Sequence, residues 1–220
     1  VDGHGDFIQP GEYQWKGTFN EERLRAKYRF SVHNSGQPPY MTGDGTGGWG
    51  GDHGTPQDVA RLEDGLLLSW SGAEHGFSII RVDFDGNKKW GCSGRRMHPR
   101  HIATDGERVY YNSGSSVSMI EVSTSRPTSF PDGTASTSPP PGGDGGDNRI
   151  TGIAHSEGIL YVAYGPRDLI ARYDARNGSL TGTWRVKAPG RMAPRPNGAL
   201  AVISGDEVVS VDDGDVSAWA

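Results

Sequence analysis

Cysteine occurs once in these 220 residues, at Cys92, so the chain cannot form an internal disulfide or gather a thiolate cluster for zinc. The plainer account of Cys92 is a small packing residue. No run of ~18 apolar residues is present, so no helix of this sequence crosses a membrane. A basic excess is lacking too: the net charge is −5 and the pI about 5.8, which argues against nucleic acid as a partner. There is no G-x-S-x-G elbow for an attached hydrolase and no H-E-x-x-H zinc pair. His98 and His101 have i, i+3 spacing, but Pro99 between them argues against a helical metal site. The sequence starts at Val1 with no basic-then-apolar leader, so we expect a processed chain or a piece of something longer.

What is abundant is glycine, 34 residues, with 14 prolines and 33% hydrophobic residues, the balance of many short strands joined by turns. The stretch Ile150 to Trp184 reads as one four-stranded antiparallel meander: Ile150–Ala154, Ile159–Tyr164, Leu169–Tyr173 and Ser179–Trp184. Glu157-Gly158, Gly165-Pro166 and Asn177-Gly178 punctuate it, since Gly and Asn tolerate the positive φ of tight hairpins. One meander cannot bury both of its faces, so copies are expected beside it.

The copies are found through an anchor: an acidic or small polar residue ending the third strand and an aromatic ending the fourth. The pairs are Asp83 and Trp90, Ser123 and Phe130, Asp174 and Trp184, and Asp212 and Trp219. The first members stand at steps of 40, 51 and 38 residues (83 to 123 to 174 to 212). A period near ~40 with four strands per repeat predicts an all-β fold, a β-propeller built of four-stranded antiparallel blades over 55–220. Four blades are visible, as a small ring or an arc of a larger one. Strand edges and blade faces left open would invite association, so a homo-oligomer or an additional chain completing the propeller is expected.

The remaining segments are less regular. Residues 1–32 are expected to be linking strands or the end of another β-domain, with a strand from about Lys27. Residues 33–54 hold eight glycines and two prolines among Tyr40, Met41 and Trp49, which describes an ordered rim loop rather than a Gly/Ser linker. Pro131 to Asp147, with Pro139-Pro140-Pro141 and two Gly-Gly pairs, reads as an exposed insertion between blades. Its Asp132, Asp144 and Asp147 would suit calcium, although Asp-Gly repeats are more often only flexible. No other cofactor and no metal site is expected.

Two resemblances follow from these residues. Tyr173 to Trp184 (YDARNGSLTGTW) and Val82 to Trp90 (VDFDGNKKW) resemble the D-x-x-x-G-x-x-x-W blade signature of quinoprotein-like propellers. That family includes pyrroloquinoline quinone dehydrogenases and non-enzymatic envelope scaffolds of bacteria. The resemblance implies structural roles for the aspartate, which closes a turn, and the tryptophan, which packs between blades. The dehydrogenases' vicinal cysteine pair is impossible here, so their redox chemistry is not implied. Gly5 to Phe19 (GDFIQPGEYQWKGTF) resembles the last strand of a FlgD-type immunoglobulin-like sandwich.

In a propeller the innermost strands line the axis, so polar residues just before them converge. Those positions hold Asp52 and His53, then His98, Arg100 and His101, then Asn148 and Arg149, then Arg191 and Arg195. We take His53, Arg100, His101, Arg149, Arg191 and the stacking surface of Trp49 as the candidate ligand-binding set. Arginine forks match carboxylate and sulfate groups bidentately, which suits an anionic ligand. The blander account is that these arginines pair with local acids at turns. The expected function is a secreted or cell-envelope module that binds a polysaccharide or other extracellular ligand, or acts as a scaffold. The alternative is a polysaccharide lyase, for which His53, His101, Tyr110 and Arg100 are residue types that could serve.

Overall fold

The computed structural model describes residues 55–71, 79–84, 88–92, 99–130, 136–141 and 147–219. The readings for 1–54, including Trp49, Asp52, His53 and the immunoglobulin-like strand, lie outside the described residues, as does His98.

The chain divides into two compact units at Arg100. The first holds one meander, β1 (Thr55–Leu62), β2 (Gly65–Ser71), β3 (Ile79–Asp83) and β4 (Lys88–Cys92), in the sheet order β1-β2-β3-β4. Leu67, Ile79, Ile80 and Val82 are fully buried. Neighbouring residues of one strand point to opposite faces, so buried Ile79 and Ile80 mean that this sheet is covered on both sides. Cys92 is buried at the end of β4, opposite Ile79, and burial pushes its thiol up. It is therefore the packing residue that the sequence suggested.

The second unit holds three meanders: β5 (Ile102–Thr104) to β8 (Pro127–Thr128), β9 (Gly152–Ser156) to β12 (Leu180–Arg185), and β13 (Pro189–Pro194) to β16 (Asp215–Ala218). Between them in each run lie β6 (Arg108–Ser113) and β7 (Ser116–Glu121), β10 (Ile159–Tyr164) and β11 (Leu169–Asp174), and β14 (Leu200–Ser204) and β15 (Glu207–Asp212). All pairings are antiparallel between sequence neighbours, and the only helical element among the described residues is a 3-10 turn at Gly165–Arg167. The fold is thus an all-β propeller fold of four-stranded antiparallel blades.

Packing within the second unit follows from alternation along the strands. One face of the β9–β12 sheet, with Ile153, Leu160, Val162, Leu169, Ala171 and Tyr173, packs on Ala103, Tyr110, Val117, Met119 and Phe130 of the blade before it. Its other face, with Ala154, Tyr161, Ala163 and Ile170, packs on Leu200, Val202, Val209 and Val211 of the blade after it. Trp184 lies in that second interface, and the Asp174 carboxylate accepts the Arg176 amide at 2.7 Å to close the β11–β12 turn. Those are the structural roles the blade signature implies.

Of the 131–147 run, residues 136–141 are described, and they are exposed only in part: Ser138 and Pro141 are exposed, whereas Thr137 is 1% exposed and Pro140 is buried. The Thr137 amide donates to the Val117 carbonyl at 3.0 Å, and the Val117 amide donates to Thr137 Oγ1 at 2.9 Å. Thr137 therefore extends the outer edge of a blade whose fourth strand, β8, is only two residues long. Arg167 holds the same segment, donating from Nη1 to Pro140 O at 2.9 Å and from Nη2 to Pro141 O at 3.0 Å. Proline leaves these carbonyls as acceptors and removes the competing amides, so a guanidinium from the neighbouring blade can satisfy them.

Candidate functional site

The site begins where β9 and β13 start. Thr151, one residue before β9, donates from Oγ1 to Pro189 O at 2.5 Å and accepts the Gly165 amide at 2.9 Å. A hydroxyl thus joins the leading ends of two inner strands to the β10–β11 turn. Gly152 lies so close to β13 that a Cβ there would overlap the Gly190 carbonyl oxygen and approach Arg191 Cα to 3.0 Å. Only glycine permits that approach.

Of the arginines singled out from the sequence, Arg149 stands two residues before Thr151 and Arg191 two residues after Pro189, next to this junction in the chain. Arg149 is exposed; its amide donates to Asp147 Oδ1 at 2.9 Å and its guanidinium lies 3.5 Å from Asp147 Oδ2. Arg191 is exposed within β13 rather than ahead of it, because that strand starts earlier than its apolar residues suggested. Asn148 accepts from Arg167 Nη1 at 2.9 Å. Arg195 is turned to the blade face, donating to Ser210 Oγ at 3.1 Å with its guanidinium 4.4 Å from the Trp219 ring centre. His101 is half-buried, and its amide donates to the Asn112 side chain at 2.9 Å. Arg100 is exposed and belongs to the other unit.

The other end of β9 holds a charged network that the sequence reading missed. Asp105 Oδ1 accepts the amides of Glu107 and Arg108 at 2.9 and 2.7 Å. Its Oδ2 accepts the Arg108 guanidinium at 3.1 Å and the Tyr110 hydroxyl at 2.8 Å. The Tyr110 ring stacks on His155, with centroids 5.4 Å apart and planes 13° from parallel. Burial pushes the Tyr110 phenol well up and, as the larger cause, pushes the His155 imidazolium down; the Asp105 charge pulls His155 the other way. Tyr110 is 0% exposed and donates to a carboxylate, so it cannot serve as the accessible base that the lyase alternative needs. The period-2 alternation that puts Arg108 and Tyr110 on one face was legible; the stacking on His155 was not, because it pairs two different blades.

Among the described residues no three His, Cys, Asp or Glu side chains gather where a metal ion could sit. Asp147 is occupied by Arg149 as above, and Asp132 and Asp144 lie outside the described residues.

No family model matches the sequence, and no curated protein matches it. Solved structures do. The chain is similar to a streptogramin B lyase (12% identity, TM-score 0.55, covering 74% of this chain and 53% of that one). It is similar to the hydrazine synthase of Kuenenia stuttgartiensis (19%, 0.54, 73% and 47%) and the virginiamycin B lyase of Staphylococcus aureus (12%, 0.53, 74% and 54%). At such identities the likeness shows the β-propeller fold alone, and these neighbours differ in activity. The chain spans about half the length of each.

Proposed function

We propose that this chain is a non-catalytic, quinoprotein-like propeller module of an extracellular or cell-envelope protein. In this reading it binds an anionic ligand, such as an acidic polysaccharide, at the leading ends of β9 and β13. The observation that supports the reading is the Thr151–Pro189 hydrogen bond of 2.5 Å, which joins the segment that carries exposed Arg149 just before β9 to β13, which carries exposed Arg191. Among the described residues the Arg149 guanidinium pairs with exposed Asp147, a contact that contributes about 0–1 kcal/mol and is readily exchanged for a ligand carboxylate. In the lyase alternative the base would be His53 or His101, since Tyr110 is buried and donates to Asp105.

The test is calorimetric titration with polygalacturonate and with a neutral polysaccharide. The acidic polymer should bind more tightly, and binding should weaken with salt because screening shortens the field to about 8 Å at physiological ionic strength. Replacing Arg149 and Arg191 together by alanine should weaken binding by about 2–4 kcal/mol. Equal affinity for the two polymers, or no loss in the double variant, would overturn the reading.

A further inference from the structure

The run Thr137-Ser138-Pro139-Pro140-Pro141, in the connection from β8 to β9, is bonded to both of the blades that it joins. On the earlier blade it takes a strand edge. β8 pairs with β7 only at Met119↔Thr128 and Ile120↔Pro127, and Thr137 bonds further back along β7. Its amide donates to Val117 O at 3.0 Å, and its Oγ1 accepts the Val117 amide at 2.9 Å. On the later blade, side-chain donors meet backbone carbonyls. The Tyr173 hydroxyl donates to Ser138 O at 2.8 Å, and Arg167 donates from Nη1 and Nη2 to Pro140 O and Pro141 O at 2.9 and 3.0 Å. The blade itself holds these donors in place. Tyr164 and Tyr173 are 0% exposed with hydroxyls 3.3 Å apart, Tyr164 donates to Ser115 O at 3.1 Å, and the Arg167 guanidinium lies 6.0 Å from the centre of the Tyr164 ring.

The segment is therefore read mostly through its backbone, and side chains are fully taken up at two positions. Thr137 is 1% exposed and Pro140 is buried, whereas Ser138 and Pro141 are exposed. Ser138, Pro139 and Pro140 each precede a proline, which restricts them to extended backbone, and the prolines offer acceptors without competing amides. A run of that kind is ordered before it docks, so it loses little conformational entropy on binding. Aromatic residues with polar tips and an open strand edge are surfaces that receive extended peptides.

We propose that the seam formed by the β7 edge, Tyr164, Tyr173 and Arg167 is a binding site for proline-rich extended segments of another protein, with the chain's own 137–141 run as its resident and exchangeable occupant. The resident is the template for the partner: a threonine whose hydroxyl accepts the Val117 amide, and a proline three residues on for the buried place of Pro140. The bonds are made to backbone groups and one hydroxyl, so a segment supplied by another chain makes the same ones. Tethering gives the resident an effective concentration on the order of millimolar. It holds the site against a dilute competitor and yields to a partner that presents such runs at high local concentration. The inference does not rest on the proposed anionic ligand, which concerns Arg149 and Arg191.

The experiment is fluorescence anisotropy of a labelled, end-capped peptide with the sequence of residues 136–141, titrated with the full chain up to about 1 mM. Three chains are compared: the unaltered protein, one whose residues 136–141 are replaced by a Gly-Ser run of the same length, and that released chain with Arg167→Ala added. The released chain should bind the peptide roughly tenfold tighter than the unaltered protein, because the tethered competitor is gone. Adding Arg167→Ala should reverse most of that gain, since the guanidinium meets two of the carbonyls. In the peptide, Thr137→Ala and Pro140→Gly should weaken binding, whereas Ser138→Ala, at an exposed position, should not. Circular dichroism checks that the released chain keeps its fold; where it does not, Thr137→Ala in the full chain, which loosens the resident by one bond, replaces it in the same comparison. A folded released chain that binds the peptide no better than the unaltered protein would overturn the proposal, as would binding that ignores Arg167. Dimers of the unaltered protein that dissociate when the peptide is added would make the occupant a second copy and overturn the choice of partner.

Discussion

Gly214 stands directly on the indole of Trp184, closer than any residue with a Cβ could, and it does so from the turn of the following blade. Two costs would fall on a side chain there, a backbone at φ +95 and an overlap at 2.8 Å with a ring fixed between two sheets. Gly198, at φ +85 with open space around it, carries only the first. Gly198→Ala should therefore cost about 1–2 kcal/mol, the left-handed penalty of an L-residue. Gly214→Ala should cost clearly more, about 2–4 kcal/mol, because the closely packed indole cannot yield freely. Urea unfolding midpoints of the two variants check the difference. Equal losses would mean that the indole moves aside at no cost.

Arg167 is predicted to hold the 136–141 segment on the blades. Arg167→Ala removes donors from Pro140 O, Pro141 O and Asn148 Oδ1 together, and charge-assisted bonds contribute about 1.5–3 kcal/mol each without being additive. The first readout is the amide of Thr137, bonded to Val117 O, whose hydrogen exchange should speed up while exchange in β10 and β11 changes little. Arg167→Lys should rescue only partly, since an ammonium cannot span carbonyls as a planar fork does.

How much of this was legible in the sequence depends on the range of the contact. The meander over 150–184 was read to within two residues, because alternation and positive-φ turns act locally: Gly158 and Gly178 have φ +76 and +71. The anchors worked for the same reason, as Asp174 and Trp184 are set by one hairpin. The hold on Thr137 was hidden, since a Ser/Pro/Gly run gives no local sign that a backbone 20 residues earlier will bond to it. His155 was likewise passed over, just beyond the inner strand read as Ile150–Ala154; only the stacking of two blades brings it to Tyr110. At the leading ends of β9 and β13, sequence reasoning named Arg149 and Arg191 but not Thr151, whose single hydroxyl joins the two leading ends.

His155 predicts a pH dependence. Burial is the larger cause acting on it and holds its folded pKa below the ordinary histidine value. The unfolded chain therefore takes up this proton first as pH falls through about 6.5, so it binds more protons than the native state there. Stability is unaffected by this group above that value and falls below it, by at most about 1.4 kcal/mol per pH unit, until the folded state protonates too. His155→Phe keeps an aromatic partner for Tyr110 and removes the titration. Its melting temperature should fall less between pH 7 and pH 5.5 than that of the unaltered protein, and parallel curves would refute the assignment.

The last prediction separates charge from packing at the junction of Arg172, Trp184 and Asp213. Asp213 is exposed and its pair with Arg172 is 3.3 Å long, so Coulomb attraction is weakened by solvent and side-chain ordering offsets much of it. Asp213 also has φ +42, a conformation that asparagine tolerates, so Asp213→Asn removes the charge with little backbone strain. We expect that change to cost less than about 1 kcal/mol and to lose its effect in high salt. Trp184→Ala instead empties an interface shared with Tyr161, whose ring lies 5.4 Å from the indole, and uncovers Ile170 and the Arg172 stem. Large-to-small changes of this kind cost about 3–5 kcal/mol in full cores, and somewhat less where the side chain is half-buried. The same denaturation series measured at low and high salt decides between them. If Asp213→Asn proved as damaging as Trp184→Ala, the blades would be held together chiefly by charge, and the cost assigned to Gly214→Ala would lose its basis.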